Sequence, residues 1–266
     1  MYSFTHHKPT SLEEAVEIFQ QAEDPAFLSG GMTLIPTMKQ RLAAPTDLVD
    51  LSAVPGLSGI TVEGNRVRIG GFTRHAAVAG SAEVAAAIPA LAELAGLIGD
   101  NQVRNRGTIG GSVANSDPAA DYPCAVVTLG ADVITHRRTI AGDDFFQDLF
   151  ETALEPGEII QAIEFPVPDR AAYAKFPNPA SRYAIVGVMV AQFGQQVRVG
   201  VTGAGPCAFR ASTLEAALNA NLAVEALDGV EIPDAGFNSD LHASSEYRAH
   251  LVGVMARRAL QSMLGV

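Results

Sequence analysis

In the first 55 positions, the spacing of apolar and polar residues alternates between that of a helix and that of a strand. Residues 11–22 begin with a capping box, in which Ser11 and Glu14 can each satisfy a backbone N–H, and continue with apolar residues on one helical face. The run AFLSGG predicts a strand that ends in glycines, MTLIPTMKQRL a second helix, and DLVDLS another strand. The apolar face of the second helix would comprise Leu34, Ile35, Met38 and Leu42. The pattern predicts an α/β unit.

From residue 56 the pattern changes to hairpins and short helices. GLSGITVEGNRVRIGG predicts a hairpin, and SAEVAAAIPALAELAGLIG two helices, because Pro89 must end one and can open the next. With AVVTLGADVIT and EIIQAIEFPVP they form a second unit, up to about residue 170. In the last third, two strands, YAIVGVMVAQF and QVRVGVTGAG, precede a short helix and a long closing one. The closing helix would turn Leu251, Val254, Met255 and Leu260 toward a core and Arg257 and Arg258 toward solvent.

The charge of the chain excludes one class of partner. The 266 residues carry a formal net charge of -11, which disfavours nucleic acid. No apolar run approaches the roughly 18–20 residues of a membrane span, and the first residues lack the apolar core of a signal peptide. We therefore expect no membrane insertion and a cytoplasmic protein, with peripheral contact to the inner membrane face left open.

Cysteines and histidines give no metal or catalytic pattern. The only two cysteines, Cys124 and Cys207, form no CxxC pair, and the six histidines form no HExxH motif. No His–carboxylate or Cys–His arrangement can be identified either. We expect neither a metal site nor a catalytic acid or base in this chain.

Two glycine pairs are the candidate binding elements. Gly30-Gly31 lies between a predicted strand and a helix, where unpaired N–H groups favour an anion such as phosphate, and Ser29 and Thr33 add hydroxyl donors. A tight turn that binds nothing is the alternative for this motif alone. The site offers no Walker A lysine and no GxGxxG pattern, which disfavours ATP and NAD.

The second pair, Gly110-Gly111, stands between Thr108 and Ser112. Asp121 follows ten residues later and could accept hydrogen bonds from sugar hydroxyls, or simply cap the turn at Asp-Tyr-Pro. Two such sites suggest one extended ligand with a diphosphate, and a flavin dinucleotide fits. Backbone N–H groups of both turns would offset its charge, and a branched side chain at Gly110 would take the place of the phosphate.

The segments LSGGMTLIPTMKQR and TIGGSVANSDPAADYP closely resemble the paired signatures of the FAD-binding medium subunits of molybdenum hydroxylases, a family that includes the carbon monoxide dehydrogenase medium subunit and the xanthine dehydrogenase flavin domain. Segments at both ends and the central EPGEIIQAIEFP strengthen the resemblance, which covers essentially the whole chain. It implies an α+β fold: a PCMH (vanillyl-alcohol-oxidase)-type FAD-binding fold in two subdomains, residues 1–55 and 56–170, and a C-terminal α+β domain, residues 171–266, with a small antiparallel sheet and helices.

The resemblance also implies a role. Non-covalent FAD would take electrons from a small [2Fe-2S] subunit, which drains a molybdenum cofactor in a large subunit, and pass them to an external acceptor. The expected assembly is an (αβγ)2 heterohexamer. Because the chain has no cysteine-rich insertion and no fused iron–sulfur or molybdenum domain, it would be one polypeptide of a three-subunit enzyme.

The resemblance assigns FAD contacts position by position. The first loop would be Phe27, Leu28, Ser29, Gly30, Gly31, Met32, Thr33 and Leu34. The second would be Thr108, Gly110, Gly111 and Ser112, with Asp121 holding the ribityl or ribose end. Ile98 and Ile160 would lie near the ring system, and Lys175 matches a family lysine after the linking strand.

Other functions remain open at this point. A stand-alone PCMH-type flavin oxidase or reductase would need its own substrate pocket, with His75 or Cys124 as the nearest candidates to tether the flavin. An interaction module with a vestigial flavin site and an NAD-binding module are further alternatives. Basic residues that could face a partner are Arg248, Arg257 and Arg258 on the closing helix and Arg104 and Arg106 beside the second loop; a solvated surface is the alternative for both groups.

Overall fold

Successive stretches of the chain form three main β-sheets in the computed structural model, which describes residues 1–266. The first stretch contains β1 (Thr5–His7), α1 (Leu12–Gln21), β2 (Pro25–Leu28), α2 (Leu34–Lys39) and β3 (Asp47–Asp50). Its three strands are parallel, in the order β1-β3-β2. One half of the capping box is as expected, because the Ser11 hydroxyl accepts from the Glu14 N–H. The other half is shifted by one residue, because the Glu14 carboxylate accepts from the N–H of Thr10 and not of Ser11.

Helix α2 is shorter than the sequence predicts. It ends at Lys39, and Arg41 has a left-handed φ of 63°, which no α-helix can continue. Leu42 is consequently 76% exposed and does not share an apolar face with Met38, so that part of the prediction is wrong.

The middle stretch builds a five-stranded antiparallel sheet, in the order β4 (Ile60–Glu63), β5 (Arg66–Gly70), β10 (Ile160–Pro166), β6 (Asp132–Thr135) and β7 (Thr139–Ala141). Its helices pack with the sheet around a core of 27 buried residues. The hairpin predicted within residues 56–71 and the helix that opens at Pro89 are confirmed, and AVVTL forms the end of a buried helix. Two further strands, β8 (Phe146–Asp148) and β9 (Glu151–Thr152), pair only with each other in a separate hairpin. The helices are α3 (His75–Ala79), α4 (Ala82–Ala87), α5 (Pro89–Gly96), α6 (Asn101–Arg104), α7 (Ile109–Asn115), α8 (Asp121–Leu129) and α9 (Gly142–Phe145).

The last stretch forms a four-stranded antiparallel sheet from β11 (Arg170–Pro177), β12 (Ala184–Phe193), β13 (Gln196–Thr202) and β14 (Phe209–Arg210). Helices α10 (Ser212–Ala220) and α11 (Ser245–Leu264) share with this sheet a second core of 21 buried residues. Helix α8 of the middle stretch also packs against this sheet, since the Cys124 thiol donates to the Gly200 carbonyl.

The closing helix departs from its prediction at two positions. Leu251, Met255 and Leu260 are buried as expected, but Val254 is only half-buried. Arg248 is buried because its guanidinium donates to the carbonyls of Ile185 and Gly203 and to Asp240. It therefore crosslinks the C-terminal domain and is not available to a partner.

Candidate functional site

One cavity of about 470 Å³ lies where the three stretches of the chain meet. Its wall contains all the residues that the resemblance assigns to FAD except Lys175. Residues that sequence reasoning missed complete the wall, among them Phe72, Leu154 and Ser181–Tyr183. The run Ser181–Tyr183 directly follows the proline-rich FPNPA turn, which marks a chain reversal but gives no chemical signal.

The first glycine loop offers free hydrogen-bond donors to this cavity. It leaves the sheet after β2 and turns at Gly31, whose φ of 72° is a left-handed value that favours glycine. The backbone N–H groups from Gly30 to Leu34 donate to no protein acceptor, and all five residues line the cavity. Consecutive unpaired N–H groups of this kind suit a phosphate group.

The two glycine loops touch each other directly. The Oγ atom of Ser29 lies 2.7 Å from Oγ1 of Thr108, within hydrogen-bond distance, 79 residues away in sequence. Gly30 packs on the backbone beside the second loop: a Cβ there would overlap the Arg106 carbonyl oxygen and lie 2.8 Å from the Gly107 Cα. Glycine is needed at position 30 because two main chains come together there.

The second loop differs from expectation in how its N–H groups are used. Thr108 caps α7, its hydroxyl accepting from Gly111 N–H and its carbonyl from Ser112 N–H, and Gly110 donates to the Gly71 carbonyl. The expectation of free N–H donors at both turns is therefore wrong for this one. A Cβ on Gly110 would lie 2.6 Å from the Gly71 carbonyl oxygen, so this glycine is required by packing against the end of β5, and not by the place of a phosphate.

Asp121 and Lys175 are partners of each other. The Lys175 ammonium lies 2.9 Å from Oδ2 of Asp121 and also donates to the Leu97 carbonyl, while the Tyr173 hydroxyl donates to Oδ1 at 2.6 Å. Burial raises the pKa of Asp121, and the Lys175 charge acts in the opposite direction. Asp121 reaches the cavity wall, whereas Lys175 does not; the lysine is placed to hold Asp121.

The two candidate tethering residues lie in different environments. The Cys124 thiol is buried away from the cavity wall, and burial raises its pKa to about 12, so it stays protonated. His75 lines the cavity with its Nδ1 buried and unpaired. Burial, and then the Arg104 charge, lower the pKa of His75 to about 4, so the imidazole is neutral at physiological pH.

The basic pair beside the second loop separates into two roles. Arg104 donates to the carbonyls of Ile98 and Gly99 and thereby holds the segment that carries Ile98 in the cavity wall. Arg106 is exposed and forms no ion pair, but its carbonyl packs against Gly30. No group of three His, Cys, Asp or Glu side chains is arranged to hold a metal ion.

Comparison with known proteins decides the family. Residues 2–168 match the family model described as the FAD binding domain in molybdopterin dehydrogenase, and residues 171–263 match the CO dehydrogenase flavoprotein C-terminal domain. The chain belongs to the family of FAD-binding medium subunits of molybdenum hydroxylases. The resemblance seen in the sequence, the α+β fold, FAD as the cofactor and the assignment to the oxidoreductases are thereby confirmed.

Relatives of the family match over nearly the whole chain. The carbon monoxide dehydrogenase medium chain of Afipia carboxidovorans is 38% identical, over 97% of this chain and 96% of its own. The nicotine 6-hydroxylase medium subunit of Paenarthrobacter nicotinovorans is 34% identical, over 95% of this chain and 94% of its own. A crystal structure of the Cu,Mo-CO dehydrogenase superposes with a TM-score of 0.92 at 36% identity, covering 100% of this chain and 99% of the other. No helix of this chain has the length and apolarity to cross a bilayer.

Proposed function

We propose that this chain is the non-covalent FAD electron-transfer subunit of a three-subunit molybdenum hydroxylase. It would receive electrons from a [2Fe-2S] subunit, which drains a molybdenum cofactor in a large subunit, and deliver them to an external acceptor. The single observation that carries the proposal is the row of free N–H groups from Gly30 to Leu34 on a cavity that also contains the second glycine loop. Family membership supports the same role.

The residues present fit FAD in distinct ways. The free N–H groups of the first loop, with the hydroxyls of Ser29 and Thr33, would hold the diphosphate, and Ser112 would approach from the second loop. Ile98 and Ile160 would form an apolar part of the cavity wall against the ring system. Asp121 would face the ribityl or ribose end of FAD. Bound FAD supplies the redox chemistry by accepting electrons singly and releasing them in pairs, and the protein supplies position and electrostatics.

The assembly follows from this role. The chain would join one iron–sulfur and one molybdenum subunit, and two such trimers would form the (αβγ)2 heterohexamer. The choice of substrate would lie in the large subunit, as relatives named for carbon monoxide and for nicotine share this medium-subunit fold. The subdomain boundaries near residues 55 and 170 stay part of the proposal.

Reconstitution with FAD tests the proposal. The purified full chain should bind one FAD with measurable heat and show flavin absorption, whereas FMN, which lacks the second phosphate and the adenosine, should bind more weakly. Acid precipitation should leave the yellow colour in the supernatant. A colourless chain without binding heat would overturn the proposal, and a yellow pellet would instead favour a covalent, stand-alone flavin enzyme with His75 as the tether.

A further inference from the structure

A short hairpin beside the cavity exposes two large apolar side chains. Strands β8 and β9 are joined by Leu149 and Phe150, which are 52% and 57% exposed. Phe150 has a φ of 56°, in the left-handed region where glycine or asparagine is favoured and a bulky residue is an outlier. A bulky residue is unfavourable in this conformation, and with Leu149 it forms an exposed apolar projection, a surface that suits contact with another molecule.

Acidic residues flank this hairpin tip in sequence: Asp148 and Glu151 lie directly on either side of Leu149 and Phe150, and Asp144 lies in α9 just before β8. Asp144, Asp148 and Glu151 are all exposed, and none of them forms an ion pair. Their neighbour Asp143 is different, because Arg198 and Arg210 neutralise it. The tip is therefore an apolar projection with a negative rim. A second copy of the same tip would be repelled by like charge, whereas a surface with a basic rim would be attracted.

The tip is also close to the flavin cavity. Phe150 is four residues from Leu154, which lines the cavity, and four residues span at most about 14 Å. The pairing of Phe146 with Thr152 at the base keeps the hairpin in place. A protein that binds the tip would therefore sit beside the flavin, where an electron donor has to be.

We propose that Leu149 and Phe150 insert into an apolar notch with a lysine- or arginine-rich rim on the iron–sulfur subunit. The inference rests on the proposed function and adds the surface through which the electron donor docks. The apolar pair would supply the buried centre of the contact, and the three carboxylates would guide association and make it weaken with rising salt.

The test measures binding of the purified iron–sulfur subunit of the native complex to the FAD-loaded full chain. The double variant Leu149→Ser/Phe150→Gly should bind about tenfold more weakly or worse, as expected for loss of an aromatic anchor. Its flavin content should be unchanged, and its melting temperature unchanged or higher, because glycine relieves the left-handed φ. Leu241→Ser is the matched control: Leu241 is 90% exposed in the C-terminal domain, and its replacement should leave binding unchanged.

A charge variant gives an independent readout. Glu151→Lys should slow association and reduce its dependence on salt, without changing flavin content. Unchanged affinity of the double variant for the iron–sulfur subunit, or a fall in its melting temperature, would overturn the inference. Failure of the proposed function would instead be visible in the unsubstituted chain, which would bind no FAD.

Discussion

The ammonium of Lys175 lies 2.9 Å from the carboxylate of Asp121, and the two side chains are only 3% and 4% exposed. This pair joins the start of α8, in the FAD-binding region, to strand β11 of the C-terminal domain. Because removal of one member leaves the other charged and buried, breaking such a pair is far more costly than breaking one at the surface.

Asp121→Asn should lower the free energy of unfolding by about 3–5 kcal/mol, since Lys175 would keep a buried charge without a partner. Urea unfolding followed by circular dichroism measures this loss. Asp228→Asn is the control, because Asp228 pairs with Arg257 at 2.7 Å on the surface, where about 0–1 kcal/mol is expected. Part of the stability should return in Asp121→Asn/Lys175→Met. Equal effects of the two single variants would contradict the assignment of a buried pair.

Ser112→Glu should weaken FAD binding at least about tenfold, or about 1.4 kcal/mol, because it places a negative charge on the cavity wall beside the expected diphosphate. Ser112 is only half-buried, so the chain should remain folded. The measurement is titration calorimetry with FAD. Thr61→Glu, at an exposed position on β4, adds the same charge elsewhere and should bind FAD normally; equal weakening in this variant would indicate a general charge effect.

Gly110→Val should destabilise the chain by about 1–3 kcal/mol or more, because its side chain must displace the backbone at Gly71. Flavin content should fall as a consequence of this displacement. Thermal unfolding of the flavin-free chain separates the two effects. Gly96→Ala is the control, since nothing lies within 4 Å of a Cβ at that position. A flavin-free Gly110→Val chain as stable as the original would restore the idea that the side chain only obstructs the phosphate.

His75 should make the folded chain less stable as the pH falls. Its pKa is about 4 in the folded state against 6.5 for the free side chain, so between these values the unfolded chain binds more protons. Stability should therefore decrease from pH 6.5 toward pH 4, by up to about 3 kcal/mol from this group. Urea unfolding at pH 7 and pH 5 should show a smaller decrease in His75→Asn. Parallel pH curves for the two chains would show that His75 does not titrate in this way.

The two glycine loops of the candidate site could be predicted from the sequence because glycine pairs are local signals. Spacing around Gly30-Gly31 and Gly110-Gly111 identified two loops that the fold brings into contact. What those loops do could not be read from spacing, since the acceptors of the second loop's N–H groups come in part from the distant Gly71. The burial of Arg248 could not be predicted for the same reason, because its partners Ile185 and Gly203 are more than 40 residues away in sequence.

Three other features were not predicted because the local sequence signals for them are ambiguous. Helix α2 ends where Arg41 adopts a left-handed backbone. Arginine rarely adopts this conformation, so the residue types at this point did not predict the end of the helix. The hairpin at residues 146–152 was not predicted for a similar reason. Its loop contains leucine and phenylalanine, where glycine, proline, asparagine, aspartate or serine is usual. Tyr183 was missed because an aromatic residue after a proline-rich turn has many possible roles.

The cavity wall draws on residues from Ala26 to Tyr183. During synthesis on the ribosome, both glycine loops emerge long before Ser181–Tyr183, the last segment of the cavity wall. We therefore expect the nascent chain to bind its flavin fully only after strand β11 and the turn after it have left the exit tunnel. Truncated products would stay colourless, and cofactor capture would mark chains whose C-terminal domain has begun to fold.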